Sequence, residues 1–345
     1  MTRRLEDGSE SVAERKVIHY FQWLRALGAV AIVLLHAIVT VQFAQIPSPE
    51  ALGVLNGLVM ITFTRWAVPV FFMMSGALML DPTREMGWAK MLRHVWRLGF
   101  VLLTFGFAFC LVEVYVDDGG FSARAVGEAA LRLVGQHSWD HMWFVYQLLG
   151  FYLVTPLIRP WVAQASREEL GRVTLVTCIL LLGLKGLSML TGRYSIYYGF
   201  EVPHCFAYYL LGYYVHTYLE LDRRWVALGV ASLVATIVLW RPLGCSWATD
   251  PNRGVVAGYS VLVMLLAKRY LDRPVEAHWP IGLLADYSFG IYLVHPALQH
   301  LMVMVPAFVA LPVALVEVLL TVVPLVLSVP IVWALRHLPG FADKV

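Results

Sequence analysis

Residues 22–43 read QWLRALGAVAIVLLHAIVTVQF. A helix that crosses the hydrocarbon core of a bilayer needs about 20 mainly apolar residues. This run is long enough to cross, and too long for a signal-peptide core of about 7–15 residues. The preceding segment, MTRRLEDGSESVAERK, is charged and shows no small-residue cleavage site, so an uncleaved first membrane helix is expected. Two ionisable residues interrupt the run, Arg25 and His36. Eleven helical steps turn the chain through three turns plus about 20°, so both side chains leave the same side of the helix, about 16 Å apart along its axis. Charge directed at lipid costs several kcal/mol, so that side is expected to face the interior of a bundle. Two readings stay open at this point. Arg25 can snorkel to the headgroups while His36 packs as a neutral core residue, or the pair can mark a functional path with a histidine suited to proton transfer.

The rest of the chain is of the same kind. Its 345 residues are 59% hydrophobic and 14% charged, with a mean hydropathy of +0.69; soluble domains carry about 25% charged residues. The expected fold is therefore an all-α, polytopic membrane helix bundle. Ten spans are expected, at about 20–43, 57–80, 96–116, 142–160, 173–190, 203–219, 225–240, 255–271, 283–303 and 311–336. The sixth and eighth are short and partly polar, which suits helices lining an internal cavity rather than facing lipid. If the odd-numbered spans start in the cytoplasm, 18 of the 26 Lys and Arg residues fall on the cytoplasmic side, five on the other and three within spans. This positive-inside bias places both termini in the cytoplasm. The expected organisation is a cytoplasmic segment 1–19, a transmembrane domain 20–336 and a cytoplasmic tail 337–345. The net charge of +3 is dispersed, so no nucleic-acid partner is expected. Cys110, Cys178, Cys205 and Cys245 lie in or beside apolar runs without a CxxC, as packing residues do.

Four segments in order carry a resemblance. They are the R-x10-H of residues 25–36, RWAVPVFFMMSGALML (65–80), HMWFVYQLLGFYLVTPLIRP (141–160) and YSFGIYLVHP (287–296). Together they resemble the acyltransferase-3 family of integral membrane acyltransferases. The Arg-x-x-Val-Pro-x-Phe form of the second segment is most similar to the subgroup that O-acetylates surface polysaccharides such as enterobacterial common antigen. Many relatives carry an Arg-x-x-Arg pair after the second helix. Here the stretch is KMLRHVWR, with Lys90, Arg93 and Arg97.

The resemblance implies transfer of an acetyl or other acyl group from cytoplasmic acetyl-CoA to a hydroxyl of a cell-envelope glycan or its lipid-linked precursor. It implies a multi-pass protein of the plasma (inner) membrane. Arg25, Arg93 and Arg97 are the candidate donor-phosphate residues, since guanidinium groups pair well with phosphate; the positive-inside bias also accounts for Arg93 and Arg97. Arg25 and His36 are the candidate catalytic pair, with His36 as general base or as acyl carrier. Arg65 is a candidate for stabilising the oxyanion or holding the substrate, with Glu113 as a partner or as a purely structural residue. His141, Trp143, Tyr292 and His295 are expected around the acceptor. No metal is expected. His137, Asp140 and His141 have i, i+3, i+4 spacing, but Asp140 reads more simply as a helix N-cap, and Trp139 and Trp143 suit the membrane interface. Ser75, in MMSGA, reads as a packing residue. Lys185 is expected to have an internal partner. A transporter with an intramembrane proton relay is the alternative, although no internal repeat of the transporter kind is visible. A homo-oligomer is compatible with this sequence.

Overall fold

The computed structural model describes residues 17–118, 120, 122–135, 138–139, 141–184, 186–187, 204–243, 254–276 and 279–345. Among these residues there is no strand, and all ten expected spans are helical. The first rod, α1, is His19–Phe43. The second, α2, is Glu50–Met79, and the third, α3, is Trp88–Asp117. A short amphipathic helix, α4 (Ala123–Gly135), packs back on α3. Then come α5 (Trp143–Gln164), α6 (Arg167–Cys178, extended by a π-helical turn at Ile179–Gly183), α7 (Phe206–Tyr218), α8 (Arg223–Leu243) and α9 (Ala257–Tyr270). The chain ends in α10 (Pro280–Val303), the single turn α11 (Pro306–Val309) and α12 (Val313–Arg336). Six of these, α1, α2, α3, α8, α10 and α12, are long and apolar enough to cross a membrane by themselves. Lys185, His137, Asp140 and Cys245 lie outside the described residues; Cys110 and Cys178 form no disulfide among the described residues.

The first helix is central. It packs against α10 and α12 and also against α2 and α9, which buries Leu24, Ala26, Ala29, Val33, Ala37 and Val41. A helix apolar on every side belongs in the interior of a bundle. The most intimate contact is between α2 and α7. A Cβ built on Gly76 would lie 1.8 Å from the Tyr209 carbonyl oxygen, and one on Gly212 would lie 2.0 Å from that of Met73. Small residues let membrane helices approach backbone to backbone, where packing and not water drives association. The MMSGA segment does serve close packing, but through Gly76. Ser75 faces the cavity described below. The expectation for the sixth and eighth spans is corrected in part. α7 and α9 are largely buried, away from lipid, yet no residue of either lines that cavity.

Local sequence explains the irregular turns. Pro69 has no N–H and its ring crowds the carbonyl four residues back, at Arg65. The helix answers with a π-helical turn over Met60–Thr64, in which the Arg65 N–H bonds to the Met60 carbonyl at 3.1 Å. Such widened turns re-aim the next side chain and recur at functional sites. Arg65 is the side chain re-aimed here.

The segment after α12 is not a loose tail. Phe341 packs edge-on against Phe100, and Val345 is 2% exposed. Arg97 Nε donates to the Lys344 carbonyl at 3.1 Å, and Arg336 Nε donates to that of Val345 at 2.9 Å.

Candidate functional site

A single cavity of ≈ 670 Å³ runs beside α1 and is walled by α1, α2, α3, α5, α10 and α12. It has two chemically distinct ends. Arg25 near the start of α1, His94 and Arg97 in the first half of α3, Asp286 near the start of α10 and Arg336 at the end of α12 line one end. His36, Arg65, His141, Trp143 and Tyr292 line the other. Each member arrives at its end because successive rods alternate in direction. Three guanidinium groups and an imidazole against the single Asp286 carboxylate make one end, here called the mouth, able to hold an anion, and the histidine cluster makes the other, the chamber, able to exchange a proton.

The mouth is held by π-systems and backbone. The Arg97 guanidinium lies 5.1 Å from the centre of the Phe289 ring and that of Arg336 lies 4.3 Å from the Tyr287 ring. Arg336 Nη2 also donates to the Asp286 carbonyl at 2.7 Å. Cation–π contact fixes a guanidinium without neutralising it, so its charge stays available to an anion.

The chamber is built around His36. Its Nδ1 lies 2.7 Å from Nε2 of His295. The two rings are parallel to within 9° with centroids 5.0 Å apart. That separation, with nitrogen touching nitrogen, means the rings lie edge to edge in one plane rather than face to face. The hydrogen bond therefore follows both lone-pair directions. His295 is fully buried behind His36, and its Nδ1 is 2.8 Å from the Ile291 carbonyl. His141 closes the cluster with its ring centroid 6.2 Å from each of the other two. The Tyr292 hydroxyl donates to the His141 carbonyl and pins that backbone. Both ring nitrogens of His141 are buried with no hydrogen-bond partner among the described residues. Buried polar atoms are normally paired, so these two point to a ligand or water in the chamber.

A strained turn delivers His141. Trp139 has φ 23°, which is unfavourable for a residue with a Cβ. Glu113 Oε1 accepts the Trp139 N–H at 3.0 Å, and the indole packs edge-on against Phe109 and His300 at 4.5 and 4.6 Å. Strain of this kind persists where surrounding contacts enforce it.

Of the residues singled out from sequence, Arg25, His36, Arg65, Arg97, His141, Trp143 and Tyr292 share the one cavity. Three stand elsewhere. Arg93 is exposed on α3 and does not line the cavity, because one helical step turns it about 100° from His94, past the edge of the face that His94, Arg97 and Leu98 present inward. Glu113 lies outside the cavity wall and supports the Trp139 turn. His295 sits one layer behind the wall, against His36. Sequence reasoning passed over His94, Tyr152, Asp286 and Arg336. His94 was legible beside Arg93 in KMLRHVWR; Arg336 was absorbed into the count of cytoplasmic cations.

No curated protein and no solved structure matches the chain significantly. The family model described as an acyltransferase domain, Acyl_transf_3, matches residues 18–337, which takes in every wall of the cavity. With that match over nearly its whole length, and with its apolar helices, the chain belongs to the acyltransferase-3 family and is a multi-pass membrane acyltransferase.

Proposed function

We propose that this acyltransferase moves an acetyl group from acetyl-CoA, bound at the arginine-lined mouth, to a hydroxyl of a cell-envelope glycan or its lipid-linked precursor entering from the opposite side of the inner membrane. The observation that carries the reading is the shared cavity, which has Arg25, Arg97 and Arg336 at one end and His36 and His141 at the other. Acyl-CoA is a polyanion with a long, thin thioester arm. Cations hold its phosphates while the arm reaches along the cavity to the histidines. A bilayer normally separates a cytoplasmic donor from an outer acceptor, and one cavity shared by the arginine end and the histidine end brings the two together inside the bundle.

The chemistry follows from the placement. A glycan hydroxyl oxygen attacks the thioester carbonyl carbon as His36 accepts the hydroxyl proton. The carbonyl π-electrons move onto oxygen, where the Arg65 guanidinium supplies charge stabilisation. The intermediate collapses with cleavage of the C–S bond, and His36 returns the proton to the departing sulfur. The products are the O-acetyl ester and free CoA thiol, and no atom is left over. His141, with both ring nitrogens unpaired among the described residues, orients the incoming hydroxyl.

Mass spectrometry of envelope glycans with and without the gene tests the acceptor class. Loss of an acetyl mass from one glycan is the expected result, and unchanged glycans overturn it. The mouth makes a separate prediction. Arg25→Ala should raise KM for acetyl-CoA by about 10-fold, because a hydrogen bond to a charged group contributes about 1.5–3 kcal/mol, with a smaller change in kcat. Arg93→Ala, on the exposed side of α3, should leave KM within about 2-fold by the same reasoning, since it removes no such bond. Steady-state kinetics in detergent micelles check both.

A further inference from the structure

We infer that His295 is a positioning residue that selects one tautomer of His36 and so makes Nε2 of His36 the basic atom. The inference rests on the acyl-transfer reading for its consequence and on hydrogen-bond geometry for its content. The reasoning starts at the far end of the chain of bonds. A backbone carbonyl can only accept, so the proton between His295 Nδ1 and the Ile291 carbonyl, 2.8 Å apart, belongs to Nδ1. In a neutral imidazole the other nitrogen is then a bare acceptor. His295 Nε2 therefore accepts from His36 Nδ1 across 2.7 Å. That places the His36 proton on Nδ1 and leaves its Nε2 lone pair for the cavity that His36 lines.

The surroundings enforce this order. His295 is 0% exposed and cannot exchange its partner for water. A second proton on the pair at rest would bury an unpaired charge, since no carboxylate contacts either ring in the described structure. Pro296 follows His295 in α10 and lacks an N–H, so the Tyr292 carbonyl one turn back also goes without its usual helical donor. The Nδ1 side of His295 thus faces carbonyl oxygen only. The coplanar, edge-to-edge rings are the geometry in which a single proton orients both imidazoles.

When His36 takes the hydroxyl proton on Nε2, its Nδ1–H becomes the donor of a stronger, charge-assisted bond to His295. A carboxylate in this place would hold the imidazolium more tightly, but would bury a charge of its own in the resting enzyme. The chain of bonds ends on a carbonyl, which has no proton to pass on. The arrangement is an orienting bond and not a relay to solvent.

The test uses full-length protein with 15N-labelled histidine in lipid nanodiscs, with the His36 signals identified by their loss in His36→Ala. Wild type should show the Nδ1–H tautomer of His36. His295→Ala should shift His36 to the other tautomer or a mixture, and should lower kcat by about 100-fold, the upper range for losing a partner that orients a functional histidine, with KM for acetyl-CoA little changed. His295→Gln keeps a carbonyl oxygen near the lost Nε2; it should restore the tautomer and bring kcat back to within about 10-fold, by the same comparison. An unchanged tautomer and kcat in His295→Ala overturn the inference. So does equal loss of activity and of thermal stability in both variants, which is the mark of a residue that merely fills space. If wild type transfers no acyl group yet the tautomer switches in His295→Ala, the positioning role stands and the acyl-transfer reading fails.

Discussion

His36→Ala is expected to lower acyl transfer about 1,000-fold, within the range for loss of a positioned general base, while the purified protein keeps its melting temperature to within a few degrees. The expectation follows from where the ring sits. His36 is partly exposed to the cavity, and its one hydrogen bond among the described residues, to His295, is made through Nδ1. Truncation removes the base and enlarges the chamber slightly, but it leaves the apolar packing of α1 against α10 and α12 intact. It does unpair His295 Nε2, which opens toward the vacated space where water can reach it. Donor affinity should change little, because the arginines of the mouth lie nearer the opposite end of α1. Retained activity would mean that the base is elsewhere. A parallel fall in melting temperature and activity would mean that His36 is structural. Thermal unfolding and single-turnover transfer, measured on one preparation, separate these outcomes.

The second large effect is on folding. Gly212→Ala should prevent recovery of folded protein or destabilise it by about 3 kcal/mol or more, at or beyond the usual range for overpacking. Its new Cβ would lie 2.0 Å from the Met73 carbonyl oxygen and 2.2 Å from the Met73 Cα. Both are backbone atoms, so no side-chain rotation relieves the clash and α7 must move away from α2. That movement would also break the approach of Tyr209 to Gly76, 1.8 Å from a Cβ built there. Tyr209 is fully buried, bonded to Thr155 at 2.7 Å and packed against Phe151, so the damage would spread into α5. Gly99→Ala and Gly150→Ala are the controls. Nothing lies within 4 Å of a Cβ at either position, and both should stay within about 1 kcal/mol of wild type. Size-exclusion profiles after graded heating read all three. Normal stability of Gly212→Ala would show that the two helices are not in backbone contact.

Much of the architecture was readable from the chain because the bilayer imposes a local code. Span length follows from hydrocarbon thickness and the 1.5 Å helical rise, and orientation follows from loop cations. Both depend on residues close together in sequence, and so ten helical segments, six of them long and apolar enough to cross a membrane, were located without any knowledge of how they pack. The shared face of Arg25 and His36 is local in the same sense, being a property of 3.6-residue periodicity within one helix. The motifs also carried family membership, because their order along the chain is a one-dimensional property.

What surrounds that face was decided by helices crossing in space. His295 comes within 2.7 Å of His36 from 259 positions away, and nothing within α1 or α10 alone dictates that meeting. The same holds for Arg336, which joins Arg25 and Arg97 only because α12 ends where α1 and α3 begin. It holds for Arg93, which sits in the same basic stretch as Arg97 and yet points outward, and for Glu113, whose carboxylate holds the strained Trp139 turn. Local sequence sets length, periodicity and direction, since those come from backbone geometry and solvent. Which nitrogen faces which acceptor depends on side chains packed between separate helices, and only the folded bundle brings them into contact.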